Sequence, residues 1–106
     1  MRYRVEFTPV GRQMLRDLGD RGAAGRIIHA VEGLAADPGK QGKPLYGEFE
    51  GLRRARFSRF RVIYRVDERG GRVVILAVGM RKEGSKNDIY ALAMKLARAG
   101  ILVRRD

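Results

Sequence analysis

The stretch Leu52-Arg53-Arg54-Ala55-Arg56-Phe57-Ser58-Arg59-Phe60-Arg61-Val62-Ile63-Tyr64-Arg65-Val66 alternates where the chain before it repeats at helical spacing. In an extended chain Arg54 and Arg56 share one side, and Ala55 and Phe57 share the other. Arg61, Ile63 and Arg65 likewise lie opposite Phe60, Val62, Tyr64 and Val66. Ser58-Arg59 is a tight turn, so the two halves read as antiparallel strands. Asp67 to Gly71 is a second hairpin signal and leads into a strand over Val73–Met80. Its centre, Val73 to Val78, is apolar on both faces, which predicts a place inside the sheet.

Working outward, Tyr3 to Phe7 alternates as a short strand, followed by Thr8-Pro9, an N-cap and a first-turn proline. Val10, Met14, Leu15 and Leu18 form the apolar stripe of a short helix that stops at Gly19. Asp20 caps a second helix reaching about Ala36, with Ile27, Ile28, Val31, Leu34 and Ala35 as its buried face and His29 turned to solvent. So few residues join the helices that they form an antiparallel hairpin. Asp37-Pro38-Gly39 stops the second helix, and Gly42-Lys43-Pro44 reads as loop. Beyond Met80, Arg81 to Asn87 is a polar loop. A last helix starts near Asp88 on the stripe Ile89, Leu92, Ala93, Leu96 and Ala97, closes at Gly100, and leaves a short tail. The order β-α-α-β-β-β-α predicts a single α+β domain over 1–106. Its N-terminal strand and helical hairpin pack on a mainly antiparallel four-stranded sheet, with a C-terminal helix added.

Charge narrows the function. The chain carries 23 Lys+Arg against 12 Asp+Glu, a formal +11, a balance that draws polyanions. From Leu52 to Lys82 ten basic residues face only Asp67 and Glu68, so +8 of the +11 sits on the sheet segment. Alternation gathers Arg54, Arg56 and Arg61 on a face expected to be exposed, as a guanidinium cluster suited to phosphate. There is no cysteine and only one histidine, so disulfides, thiol catalysis and a His-cluster metal site are excluded. No cofactor and no metal are expected. A serine triad lacks its base, the basic face offers no carboxylate pair, and Gly70-Gly71 is a turn and not a phosphate loop. The chemistry left to Arg, Lys and Tyr is phosphodiester transesterification by an RNA 2′-hydroxyl. No signal peptide and no membrane span is apparent, which makes the cytoplasm the expected compartment.

Leu45-Tyr46-Gly47, Leu52 to Phe57, Phe60 to Val66, Val78-Gly79-Met80-Arg81-Lys82 and Tyr90 together resemble the RelE/ParE toxin pattern. The resemblance runs from Tyr3 to about Leu96, and it is the order and spacing of the pieces that is specific. It implies the toxin of a microbial type II toxin–antitoxin module, whose cognate antitoxin covers the basic face. In its RelE-like form it implies an endoribonuclease acting with the ribosome on mRNA, and contact with operator DNA only through the antitoxin complex. The RelE-like site carries over as Arg54, Arg56, Arg61, Arg81 and Tyr90; the basic residues Arg53, Arg59, Arg65, Lys82 and Lys86 around it are read as RNA-binding. The departure lies at Arg54 and Arg56, where the RelE pattern has lysines; arginine stays protonated and makes a poor general base. The loop between Arg81 and Tyr90 is also slightly longer. Tyr46 and Tyr64 read as structural tyrosines. The other reading the resemblance leaves open is a ParE-like inhibitor of DNA gyrase that cleaves nothing. The arginines at 54 and 56 favour that reading, and Arg81 with Tyr90 favours the ribonuclease.

Overall fold

The computed structural model describes residues 2–80 and 88–98. Arg81, Lys82, Lys86, Gly100 and the tail after it lie outside the described residues. The first strand, β1 (Arg4–Phe7), leads into α1 (Pro9–Arg16) and α2 (Arg21–Glu32), followed by a 3-10 turn at Gly33–Ala35. The sheet continues with β2 (Lys43–Pro44), β3 (Arg53–Phe57), β4 (Phe60–Asp67) and β5 (Arg72–Met80), and α3 (Ile89–Arg98) follows.

Local chemistry sets the helix starts. Thr8 accepts a hydrogen bond from the Gly11 amide with Pro9 at the first helical position, and Asp20 accepts from the Ala23 amide. Asp88 does the same for α3: its Oδ2 accepts from the amides of Tyr90 at 3.0 Å and Ala91 at 3.4 Å. The β3–β4 turn is two residues long, and Ser58 takes the left-handed backbone (φ 57°) required at the first position of primed hairpin turns.

The sheet has five strands in the order β1-β5-β4-β3-β2, with β1 parallel to β5 and the other pairs antiparallel. The fifth strand, against the four expected, is β2. It lies within the stretch read as loop, where two residues are too few to show alternation. The strand predicted to be interior is β5, flanked by β1 and β4.

Two cores cover the two faces. Leu15 of α1 and Ala23, Ile27 and Val31 of α2 pack on Ala55, Val62, Tyr64, Val73 and Ile75. This is the face the alternation assigns to the helical hairpin. Ile28, expected in that stripe, is 41% exposed. It sits about 100° round the helix from Ile27, outside the arc traced by Ala23, Ile27 and Val31. The opposite face, expected to be exposed, carries a second core: Ile89 and Ala93 of α3 lie on Leu52, Ile63, Val74, Leu76 and Ala77. A register break between Ile63 and Tyr64 leaves Leu76 as an extra residue on β5, a bulge that turns both Leu76 and Ala77 toward α3.

The fit of α1 on β5 is close. A Cβ added at Gly11 would lie 2.6 Å from the Ile75 carbonyl oxygen, so helix and strand would have to part. Gly11→Ala is therefore expected to destabilise the domain by about 1–2 kcal/mol even after alanine's better helix propensity is counted. Thermal melting checks this, with an expected fall of roughly 5–15 °C.

Candidate nucleic-acid interface

Strand register decides which cations meet. Arg56 is directly opposite Arg61, which in turn is opposite Gly79. One row along, Arg54 is opposite Ile63, and Ile63 is opposite Ala77. Paired residues of antiparallel strands point to the same side, so Arg54, Arg56 and Arg61 share the α3 face.

Helix α3 completes the arrangement. Ile89 and Ala93 are fully buried on Ile63, Leu76 and Ala77, and the Asp88 cap fixes the first turn. The next side chain, Tyr90, is thereby brought to β3, where its hydroxyl oxygen accepts a hydrogen bond from Arg54 Nη1 at 3.3 Å. Arg54 Nε is buried and makes no hydrogen bond among the described residues, a state that costs about 1–3 kcal/mol unless a ligand satisfies it. Among the described residues, no ion pair involves Arg54, Arg56 or Arg61. Two guanidiniums directly opposite each other repel, and an anion between them removes that repulsion.

The carboxylates of β1 and β4 gather at the other end of the sheet. Arg72 pairs with Asp67 at 2.8 Å and with Glu6 at 2.9 Å. The Gly70 amide, and after it Arg72, holds the Asp67 carboxyl below its ordinary range. Arg65, also on β4, is opposite Val74 and contributes to the field on Asp67. It belongs to that end and not to the cluster.

The other flanking residues divide. Arg53 faces away from Arg54, and its Nε and Nη2 donate to the Gln41 carbonyl at 3.2 and 2.9 Å. Arg59 lies in the exposed turn with its guanidinium 5.3 Å from the centre of the Phe60 ring. Of the five residues carried over as catalytic, Arg54, Arg56, Arg61 and Tyr90 come together; Arg81 lies outside the described residues. The two tyrosines read as structural differ. Tyr64 is fully buried, whereas Tyr46, just before the 3-10 turn at Gly47–Phe49, is 77% exposed. Burial pushes the Tyr64 phenol above its ordinary value, opposed by Arg53, so it stays a neutral donor. One cation was missed: Lys43 is directly opposite Arg54. Only its pairing shows this, since a two-residue strand carries no pattern of its own.

A family model described as the ParE toxin of the type II toxin–antitoxin system parDE matches residues 5–84. The chain belongs to the RelE/ParE superfamily of type II toxins. Within that superfamily it is similar to the toxin RelG of Mycobacterium tuberculosis (strain ATCC 25618 / H37Rv), with 37% identity over 83 residues, 78% of this chain and 95% of RelG. The toxin RelE of the same strain is 33% identical over 79 residues, 74% of this chain and 81% of that one. A chain of the crystal structure of the toxin–antitoxin complex RelBE2 from Mycobacterium tuberculosis superposes with a TM-score of 0.72 at 34% identity, covering 76% of this chain and 93% of that chain. The RelE/ParE segment thus takes in α1, α2 and all five strands. Among the described residues, no helix is long and apolar enough to cross a membrane.

Proposed function

We propose that this RelE/ParE toxin is a metal-independent, ribosome-dependent endoribonuclease that cuts mRNA in the cytoplasm, arrests growth, and is neutralised by a cognate antitoxin. The observation that carries the reading is the joining of Arg54 to Tyr90, beside the opposed Arg56 and Arg61 on the α3 face. The similarity to toxins named RelG and RelE supports it.

In this reading the RNA 2′-oxygen bonds to phosphorus as the bond to the 5′-oxygen breaks. The proton lost by the first oxygen is gained overall by the second, leaving a cyclic phosphate and a 5′-hydroxyl. Arg61 and Arg81 bind the scissile phosphate. Arg54 and Arg56 stabilise the charge that builds on its oxygens, since preorganised cations act most strongly where charge develops. Tyr90, anchored by Arg54, orients the nucleotide by stacking on it. The ribosome orients the substrate, which five basic or phenolic groups cannot orient alone. Operator DNA is reached only through the antitoxin complex.

The second reading is a ParE-like gyrase inhibitor. It is favoured by the ParE description of the matching family model and by arginine at positions 54 and 56. Primer extension on a translated mRNA after induction, run beside a gyrase supercoiling assay, separates the two. Cuts within codons are expected, reduced less by Tyr90→Phe than by Tyr90→Ala because the ring and not the hydroxyl makes the stack. Intact transcripts with blocked supercoiling would replace the ribonuclease by the gyrase reading.

A further inference from the structure

We propose that Lys43 is a further RNA contact of this site, holding the backbone phosphate next to the scissile one. The inference rests on the ribonuclease reading and extends it across β2.

Lys43 is opposite Arg54, so its side chain leaves the sheet on the face of Arg54, Arg56 and Arg61. Cations therefore stand on three neighbouring strands, β4, β3 and β2, spaced about 4.8 Å apart. An RNA strand crossing them from Arg61 meets Arg56 and Arg54, then Lys43. Lys43 is exposed and makes no ion pair among the described residues. Its ammonium is a point charge on a long stem, suited to following a backbone phosphate. A groove of about 380 Å³ runs along the β3 edge beyond β2, where the two faces meet: Lys43, Arg54 and Arg56 line it, together with Leu34, Ala55 and Phe57 of the helical-hairpin side.

The strand that presents Lys43 is held firmly for its length. The single hydroxyl proton of Tyr64 is shared between the carbonyls of Gln41 at 2.7 Å and Pro38 at 3.0 Å, and Arg53 donates twice to Gln41. Gly42 takes a left-handed backbone (φ 64°), and a Cβ there would overlap the Arg54 carbonyl oxygen. Arg53, Tyr64 and Gly42 thus act as positioning residues. They press Lys43 against β3 one residue after the constriction.

The test uses the full chain and a labelled single-stranded RNA oligonucleotide, with affinity measured from 50 to 200 mM salt and cleavage of mRNA on ribosomes followed in parallel. Each phosphate contact on a single strand contributes about 0.7 to the slope of log affinity against log salt. Lys43→Ala is expected to make the slope shallower by about 0.7, so that the loss of affinity over this range is roughly 2.5-fold smaller. Lys43→Arg keeps the slope, and so does Arg12→Ala on the exposed side of α1. A wild-type slope in Lys43→Ala, with a shallower one in Arg54→Ala, overturns the Lys43 contact and leaves the ribonuclease reading standing. A wild-type chain that neither binds the oligonucleotide in a salt-dependent way nor cleaves mRNA on ribosomes overturns both.

Discussion

Arg61→Ala is expected to slow ribosome-dependent mRNA cleavage roughly 100- to 1000-fold, the loss typical when one preorganised electrostatic donor is removed from a transition state. Its melting temperature is expected to stay level or rise. Arg61 stands opposite Arg56, and its own hydrogen bonds are long ones to the Arg59 and Phe60 carbonyls, at 3.3 and 3.5 Å. Removing it takes away a like-charge pair worth a few tenths of a kcal/mol of repulsion, up to about 1. Activity and stability then move in opposite directions, as expected where a fold holds cations together for a ligand. Single-turnover cleavage beside a thermal melt measures both. A cleavage rate within tenfold of wild type, or an activity loss that merely tracks unfolding, would remove Arg61 from the site.

Tyr64→Ala is expected to be the most damaging single change to the fold. The side chain is fully buried among the strands and α2, and its hydroxyl ties down the loop before β2. Truncating a buried aromatic ring costs about 3–5 kcal/mol, a large part of the 5–15 kcal/mol typical of a whole domain. The melting temperature falls by roughly 15–30 °C or more. Tyr64→Phe keeps the ring and leaves the Pro38 carbonyl without this donor, while Gln41 retains Arg53; about 1–2 kcal/mol is lost. The ordering wild type, Phe, Ala in circular-dichroism melts checks this. A Tyr64→Ala protein within 1 kcal/mol of wild type contradicts the packing described.

The two kinds of residue behind these expectations differ in how they can be read. The sides of β3 and β4, the three capped helices and the two hairpins follow from the sequence alone, because period, caps and turn residues act within a few positions of one another. Alternation separated Ala55, Val62 and Tyr64 from Arg54, Arg56 and Arg61 for this reason. Adjacent residues on a strand face opposite ways, and Arg53, read from the sequence as an RNA contact, lies on the other face from Arg54.

Tertiary structure decided what depends on pairing between distant segments. Arg54 and Tyr90 are 36 positions apart and meet only because Ile89 and Ala93 seat α3 on the bulged β5. The same helix covers Ile63, Leu76 and Ala77 on the face that alternation read as exposed, and leaves Arg56 open. Ile28 is left outside because a helical stripe is only as wide as the sheet beneath it. Lys43 joins the cations because Tyr64, Arg53 and Gly42 draw a loop into a two-residue strand. Local sequence carries periodicity and capping; cross-strand register and helix docking are set by the free energy of burying the whole core, and no short window contains that sum.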